Sequence, residues 1–358
     1  MTMDCISVLE GREGLELPLV CDSPHSGVHY PDDFRHAIPR AELRMAEDTH
    51  VDRLWGHAPE VGATLVLAHF PRTYIDANRP LDDLDPALLH TPWPRPLNPS
   101  RKSQLGFGLI WRNVRADAAI YDRRLSVEEV QHRIQHYWAR YHAALSGALS
   151  RAVQRHGACW HLNLHSMPHD AYARLGIDSA TPLADFVLGD RHGTSCDPEF
   201  VEVVRRAIGA HGYRVAVNDP YSGQELVRMA GDPSCGRHSL QVEVNRRMYM
   251  DERTREKTPG FGELRANLDR LLSAGARVVP VAGKNPRGGA PRAASTRRVA
   301  SSKPTRSSRL TTGSRRSTGP RSRSSRRGWP RSWSRSWSGW RCRSPTTAPR
   351  PTASCGSP

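Results

Sequence analysis

Five short polar clusters hold the residue types that could do chemistry. Ser23-Pro24-His25-Ser26-Gly27 and Leu164-His165-Ser166-Met167-Pro168 each carry one histidine into a turn, and Glu47-Asp48-Thr49-His50-Val51-Asp52 mixes carboxylates with an imidazole. Gln241-Val242-Glu243 places an acid among polar neighbours, and Arg72 and Arg79 flank Ile75-Asp76-Ala77-Asn78. His25, His165 and an acid of the Asp48 cluster would supply two imidazoles and one carboxylate, the ligand set of a catalytic zinc that keeps its fourth position for water. Bound zinc (Zn2+) lowers the pKa of that water to about 7. Glu243 could take the proton and pass it to a leaving amine. The forked guanidinium groups of Arg72 and Arg79 suit a carboxylate or an oxyanion. Together these groups describe metal-assisted hydrolysis of an amide in a small anionic substrate.

Each member also has a plainer reading. A histidine at a strand end can be a hydrogen-bonded structural residue, Glu243 can be half of a salt bridge, and Arg79 can pair with Asp82 or Asp83. Ser26 and Ser166 suggest a serine hydrolase, but neither sits in the G-x-S-x-G elbow that exposes such a nucleophile.

The elements around these clusters decide whether they can meet. Leu17 to Asp22 and Thr64 to His69 are apolar runs that predict buried strands, and Trp160 to Met167 predicts a third. Leu183 to Leu188 and Tyr213 to Val217 predict two more. Ser239 to Asn245 alternates Leu240, Val242 and Val244 with Gln241, Glu243 and Asn245, the period of a strand. Residues 39 to 61 predict one helix with the Asp48 cluster on its polar face. Ser126 with Glu129 forms a capping box for a helix to Arg155, whose apolar stripe runs from Val127 to Val153. Asp197-Pro198 caps a helix to Gly212, and Glu263 to Ala274 predicts the last. Residues 80 to 118 carry many prolines and little periodicity, which predicts a long irregular excursion. Strands separated by helices give one α/β domain with a mixed, mostly parallel central sheet covered on both faces. In such sheets ligands collect outside the carboxyl ends of the strands.

The net charge of +16 over 358 residues is concentrated at one end. Residues 277–358 hold 20 Lys and Arg and no acid, so 32 basic residues face all 36 acids before them and the first 276 residues carry −4. The expected organisation is a lead over 1–14, a catalytic domain over 15–276 and an Arg/Ser/Pro-rich disordered tail over 277–358. An arginine-rich arm could bind nucleic acid electrostatically and give a protein of another class. Translation of GC-rich DNA in a shifted frame yields the same composition, and no function is assigned to the tail. Seven cysteines without C-x-x-C spacing point to a reducing compartment. Absence of an apolar h-region in residues 1–14 and of any 18-residue apolar run predicts a soluble cytoplasmic protein.

Six motifs, in order, now carry a resemblance. They are Pro-His-Ser-Gly at 24 to 27, Asp48 with His50, Arg72-x-x-Ile-Asp-x-Asn-Arg-Pro ending at 80, Leu-His-Ser-Met at 164 to 167, Leu-Gly-Asp-Arg-His-Gly-Thr-Ser at 188 to 195, and Gln-Val-Glu-Val-Asn-Arg at 241 to 246. Over residues 15 to 275 the chain resembles the N-formylglutamate amidohydrolase family, itself similar to zinc carboxypeptidases and aspartoacylase with their phosphorylase/hydrolase-like fold. The resemblance implies zinc-dependent cleavage of N-formyl-L-glutamate to formate and glutamate in histidine breakdown. It also implies zinc ligation by His25 and His165, Glu243 as general base, Arg72 polarising the scissile carbonyl, and Asn78 with Arg79 holding a substrate carboxylate. Another N-acyl amino acid or a small peptide is the alternative substrate. The distant relatives carry a His-x-x-Glu pair, whereas Val28 stands three residues after His25. The third ligand must therefore come from elsewhere, with Asp48 expected and Glu47 or Asp52 as alternatives. Gly223-Gln224 departs from the Gly-Gly pair of many members.

Overall fold

The computed structural model describes residues 4–115 and 117–275; the expected tail lies outside them. The strands are β1 (Ile6–Leu9), β2 (Leu19–Ser23), β3 (Thr64–Ala68), β4 (Asn113–Arg115), β5 (Ala118–Ala119), β6 (Cys159–Met167), β7 (Phe186–Gly189), β8 (Val215–Val217) and β9 (Arg237–Asn245). Seven of them form one sheet in the order β1-β3-β2-β6-β9-β7-β8, and β4 with β5 makes a separate ribbon. The four inner strands β3, β2, β6 and β9 run parallel, while β1 pairs antiparallel with β3 and β7 antiparallel with β9. The mixed, mostly parallel sheet expected from the sequence is therefore present, with a strand, β1, that the sequence reading did not anticipate.

Helices cover both faces, as the two sides of β2 show. Successive side chains of a strand point to opposite faces. Asp22 accepts a hydrogen bond from Tyr141 on the helix Ala139–His156, and its neighbour Cys21 packs into the apolar core with Val51, Leu54, Val204 and Leu268. Those four belong to the helices Val51–Leu54, Pro198–Gly209 and Gly260–Gly275. Leu162, Leu164, Leu240, Val242 and Val244 fill the same core from β6 and β9. Each such side chain removed from water contributes about 1.5–3 kcal/mol.

The capping box forms as expected: Ser126 Oγ accepts from the Glu129 backbone N–H, and the Glu129 carboxylate accepts from the Ser126 N–H. The helix begins over Val127–Arg133, widens into a π-turn over Ile134–Trp138 and continues over Ala139–His156. It stops at Gly157, whose φ of 77° is the left-handed conformation that glycine adopts freely at a helix end.

The predicted helix over 39 to 61 is corrected. The segment breaks into the helix Arg40–Leu43, a 3-10 turn Arg44–Ala46, the helix Val51–Leu54 and a 3-10 turn Ala58–Val61. Between them Glu47 is extended and His50 is left-handed at φ 69°. Asp48 thus sits in a turn rather than on a helix face. Its backbone N–H donates to the carbonyl of His25 at 3.0 Å, which ties the turn to the loop after β2.

Candidate active site

The polar face of β6 is built from register. His161, Asn163 and His165 alternate along one side of the strand, and their partners are Ser239, Gln241 and Glu243 on β9. On the other flank Asp22 of β2 is the register partner of Asn163. Asp22 accepts from Asn163 Nδ2 and His161 Nε2, each at 2.8 Å, and from Tyr141 Oη at 2.6 Å. Burial alone would raise its pKa, but His161 and these hydrogen bonds hold it below the ordinary carboxylate range. With its amide nitrogen committed to Asp22, Asn163 turns its Oδ1 to His165 Nε2 at 2.8 Å. His165 must therefore carry its proton on Nε2, leaving the Nδ1 lone pair pointing away.

His25 is set the same way from the other side. Its Nε2 donates to Asp76 Oδ1 at 2.7 Å, which frees Nδ1. The motif around it ends in Gly27 because a Cβ there would collide with the carbonyl of Phe70. Asp76 is the organising acid. It accepts from His25, from Arg72 Nε and the Arg72 NH2 group at 3.2 and 3.0 Å, from the Asn78 backbone N–H and from Trp111 Nε1. Burial pushes its pKa up, yet Arg72 and His25 hold it well below the usual carboxylate value.

The consequence is three acceptor atoms facing one another. His25 Nδ1 lies 3.1 Å from His165 Nδ1 and 3.5 Å from Asp48 Oδ2, and His165 Nδ1 lies 3.1 Å from the same oxygen. All three residues are buried. Lone pairs that converge away from water repel unless a cation sits among them. Ligands around a tetrahedral zinc at about 2.0–2.2 Å are roughly 3.4 Å apart, so spacing and donor types both fit that ion. Each imidazole also gives its other N–H to an outer acceptor, as metal-bound histidines do.

Asp48 reaches the cluster with one oxygen, because Arg246 holds the other at 2.9 Å. Burial works to raise its pKa, but His165, His25 and Arg72 keep it well below the usual range. Glu47 is engaged elsewhere, accepting from Tyr30 Oη and Arg44, and among the described residues Asp48 is the acid grouped with the two imidazoles. His50 turns away to the carbonyl of Arg255. Ser26 and Ser166 bond to Ser23 and Arg246, which fits support rather than nucleophilic attack.

Glu243 faces the same space. Its Oε1 accepts from Gln241 at 3.0 Å, and burial raises its pKa to about 7 against the opposing pull of His165, with Asp48 adding to the rise. A carboxylate poised near neutrality is matched to proton transfer at physiological pH. Arg72 is pinned on Asp76, with its guanidinium 4.9 Å from the Trp111 ring, and its NH1 group lies 3.9 Å from Asp48. Asn78 Oδ1 accepts from the Leu226 N–H, and its Nδ2 lies 3.2 Å from His165 Nε2. Arg79 donates to the Phe107 carbonyl and to Gln224 Oε1, and among the described residues no acid pairs with it, neither Asp82 nor Asp83. All seven residues singled out from the sequence thus surround one space. Asp76 and Arg246 stood inside the motifs without a role, and Asn163 was readable only as two positions before His165.

Comparison with known proteins decides the lineage. The sequence profile of the N-formylglutamate amidohydrolase family matches residues 17–250. The chain belongs to the N-formylglutamate amidohydrolase family. An N-formylglutamate deformylase of Pseudomonas putida is 30% identical over 254 residues, which span 68% of this chain and 86% of that protein. That of Pseudomonas aeruginosa is 28% identical over 253 residues, covering 68% and 86%. The crystal structure of an N-formylglutamate amidohydrolase from Ralstonia eutropha JMP134 superposes with a TM-score of 0.76 at 54% identity, covering 77% of this chain and 99% of that one. A gene product of Agrobacterium tumefaciens shares the fold at 17% identity and a TM-score of 0.51, covering 77% and 96%. As a member of that family, the chain is a hydrolase of a linear amide bond. Among the described residues no helix is long and apolar enough to cross a membrane.

Proposed function

We propose that this chain is a zinc-dependent enzyme that cleaves N-formyl-L-glutamate to formate and L-glutamate. The observation that carries the reading is the convergence of His25 Nδ1, His165 Nδ1 and Asp48 Oδ2, three acceptors with their outer hydrogen bonds already fixed. These three would hold the zinc. When bound, zinc supplies a Lewis acid that makes water available as a nucleophile near pH 7.

The chain's own groups do the rest. Glu243 accepts a proton from the attacking water as the C–O bond to the formyl carbon forms. It returns that proton to the departing nitrogen as the C–N bond breaks, leaving formate and the free amine of glutamate. Arg72 faces the developing oxyanion with its NH1 group while Asp76 fixes the rest of the guanidinium. Asn78 and Arg79 hold a substrate carboxylate, a role supported by the buried guanidinium of Arg79, which is 6% exposed and bonds only neutral acceptors among the described residues. A place in histidine breakdown rests on the family alone.

Formate release from N-formyl-L-glutamate, N-formyl-L-aspartate and N-acetyl-L-glutamate tests the substrate. Turnover selective for the first is expected. Failure of a zinc-loaded, folded protein on N-formyl-L-glutamate with turnover on another N-acyl amino acid would replace the substrate and keep the site.

A further inference from the structure

N-formylglutamate carries two carboxylates, and Arg79 answers one. Arg79 adjoins Asn78, whose amide lies 3.2 Å from His165 Nε2, so this pair sits beside the reacting centre. The carboxylate within its reach is the α group, one carbon from the scissile nitrogen. The side-chain carboxylate lies further out along the substrate and needs a second cation on that side.

The excursion over residues 80–118 supplies one. Arg79 Nε donates to the Phe107 carbonyl at 3.1 Å, and the Phe107 N–H donates to the Lys102 carbonyl at 2.8 Å, so the backbone of 102–107 is fastened around the Arg79 guanidinium. Ser103 is buried beneath it and bonds the Asp83 carbonyl, which seats the short helix Arg101–Gln104. From that helix the Lys102 ammonium lies 6.0 Å from the centre of the Tyr221 ring. Tyr221 and Gln224 lie in the segment before the helix Glu225–Ala230, and Gln224 Oε1 accepts from Arg79 at 3.2 Å. Lys102 and Arg79 are thus braced by the same two segments. Among the described residues Lys102 makes no hydrogen bond and no ion pair through its side chain.

We propose that Lys102, backed by the face of Tyr221, is the specificity residue that reads the side-chain carboxylate of the substrate, while Arg79 takes the α-carboxylate. The inference rests on the deformylase reading above. Two cations that make no ion pair among the described residues match two carboxylates. The electrostatics agree: burial lowers the Lys102 pKa to about 8, Arg79 and Arg72 push it the same way, and Glu243 and Asp76 oppose them. An anion arriving between Lys102 and Arg79 would relieve that repulsion.

The test compares kcat/KM for N-formyl-L-glutamate and its neutral isostere N-formyl-L-glutamine, in the full zinc-loaded chain and in Lys102→Met. Loss of one partly buried charge partner corresponds to about a 30-fold drop in the glutamate-to-glutamine selectivity ratio, carried by KM more than by kcat. Lys102→Arg should recover part of that ratio. A ratio that Lys102→Met leaves unchanged, in a variant with unaltered thermal unfolding, overturns the assignment. Calorimetric affinity of the product L-glutamate, against L-glutamine, gives a second readout independent of turnover, and equal binding of the two by the unmodified chain also overturns it. Absence of turnover on N-formyl-L-glutamate by the unmodified chain would instead refute the parent reading, with the binding comparison still deciding Lys102.

Discussion

His165 and Glu243 are direct register partners on the parallel strands β6 and β9. Two residues so paired project from the same face of the sheet as neighbours. The imidazole proposed to hold zinc and the carboxylate proposed to accept the proton are thereby set side by side by backbone hydrogen bonds. Glu243→Gln should retain zinc, because it removes no ligand, and lose turnover by about 10²–10⁴-fold, the usual worth of a general base. Metal content and formate release on the same preparation check both halves. Turnover within a few-fold of the unmodified chain would remove Glu243 from the mechanism.

Asp76 touches His25 but not the three converging atoms. Replacement by Asn would weaken the acceptor that fixes the His25 tautomer, and outer partners of this kind are worth about 10–100-fold in metal affinity. Competition against a zinc chelator should show Asp76→Asn releasing zinc more readily by that factor. Unchanged affinity would mean that the His25 ring is held by its packing alone.

The rate should rise with pH on the acid side. Burial raises Glu243 to about 7, and only its ionised form can accept a proton, so activity is lost as pH falls through that pKa. A divalent cation nearby favours the ionised form, which moves the acid limb below 7 in the zinc enzyme. The profile of kcat/KM between pH 5 and 9 should show this limb, and a rate that increases toward pH 5 would contradict it.

Stability should follow Asp22. Its folded pKa is depressed, so the stabilisation is present above the unfolded carboxylate value of about 4 and is lost as pH falls through the folded one. In Asp22→Asn, thermal unfolding followed from pH 7 down to pH 3 should begin lower and fall less steeply. An unchanged slope would assign acid lability to other groups.

Arg79→Lys keeps the charge but loses the fork. One hydrogen-bonded contact to a charged group is worth about 1.5–3 kcal/mol, so KM should rise roughly 10–100-fold. Steady-state kinetics on N-formyl-L-glutamate read this directly, and an unchanged KM would place the carboxylate elsewhere.

How much of this was legible depends on what kind of signal carried it. The period-2 pattern of β6 and β9 put His165 and Glu243 on strands, and the motif order tied them to His25 and Arg72. The position of Asp48 was misread as helical because no glycine or proline marks the break: the chain turns at Glu47 and at left-handed His50, a conformation that few side chains favour. Asp48 itself was still chosen over Glu47 and Asp52, and its Oδ2 lies 3.1 Å from His165 Nδ1 and 3.5 Å from His25 Nδ1. Asp76 and Asn163 gained their meaning only from partners 51 and 141 positions away, and Lys102 from a loop without periodicity, where nothing local records the contact. The edge strand β1 was missed because four residues without a flanking apolar run carry too weak a pattern.

The central claim is a zinc-dependent deformylase centred on His25, Asp48 and His165. The most direct measurement is formate release from N-formyl-L-glutamate by the full chain as isolated, after chelation and after zinc is restored, with zinc counted per chain and His165→Ala run in parallel. The expected result is one zinc per chain, activity lost with the metal and regained with it, and neither zinc nor turnover in His165→Ala. Full turnover by protein stripped of metal, or by His165→Ala, would contradict the account.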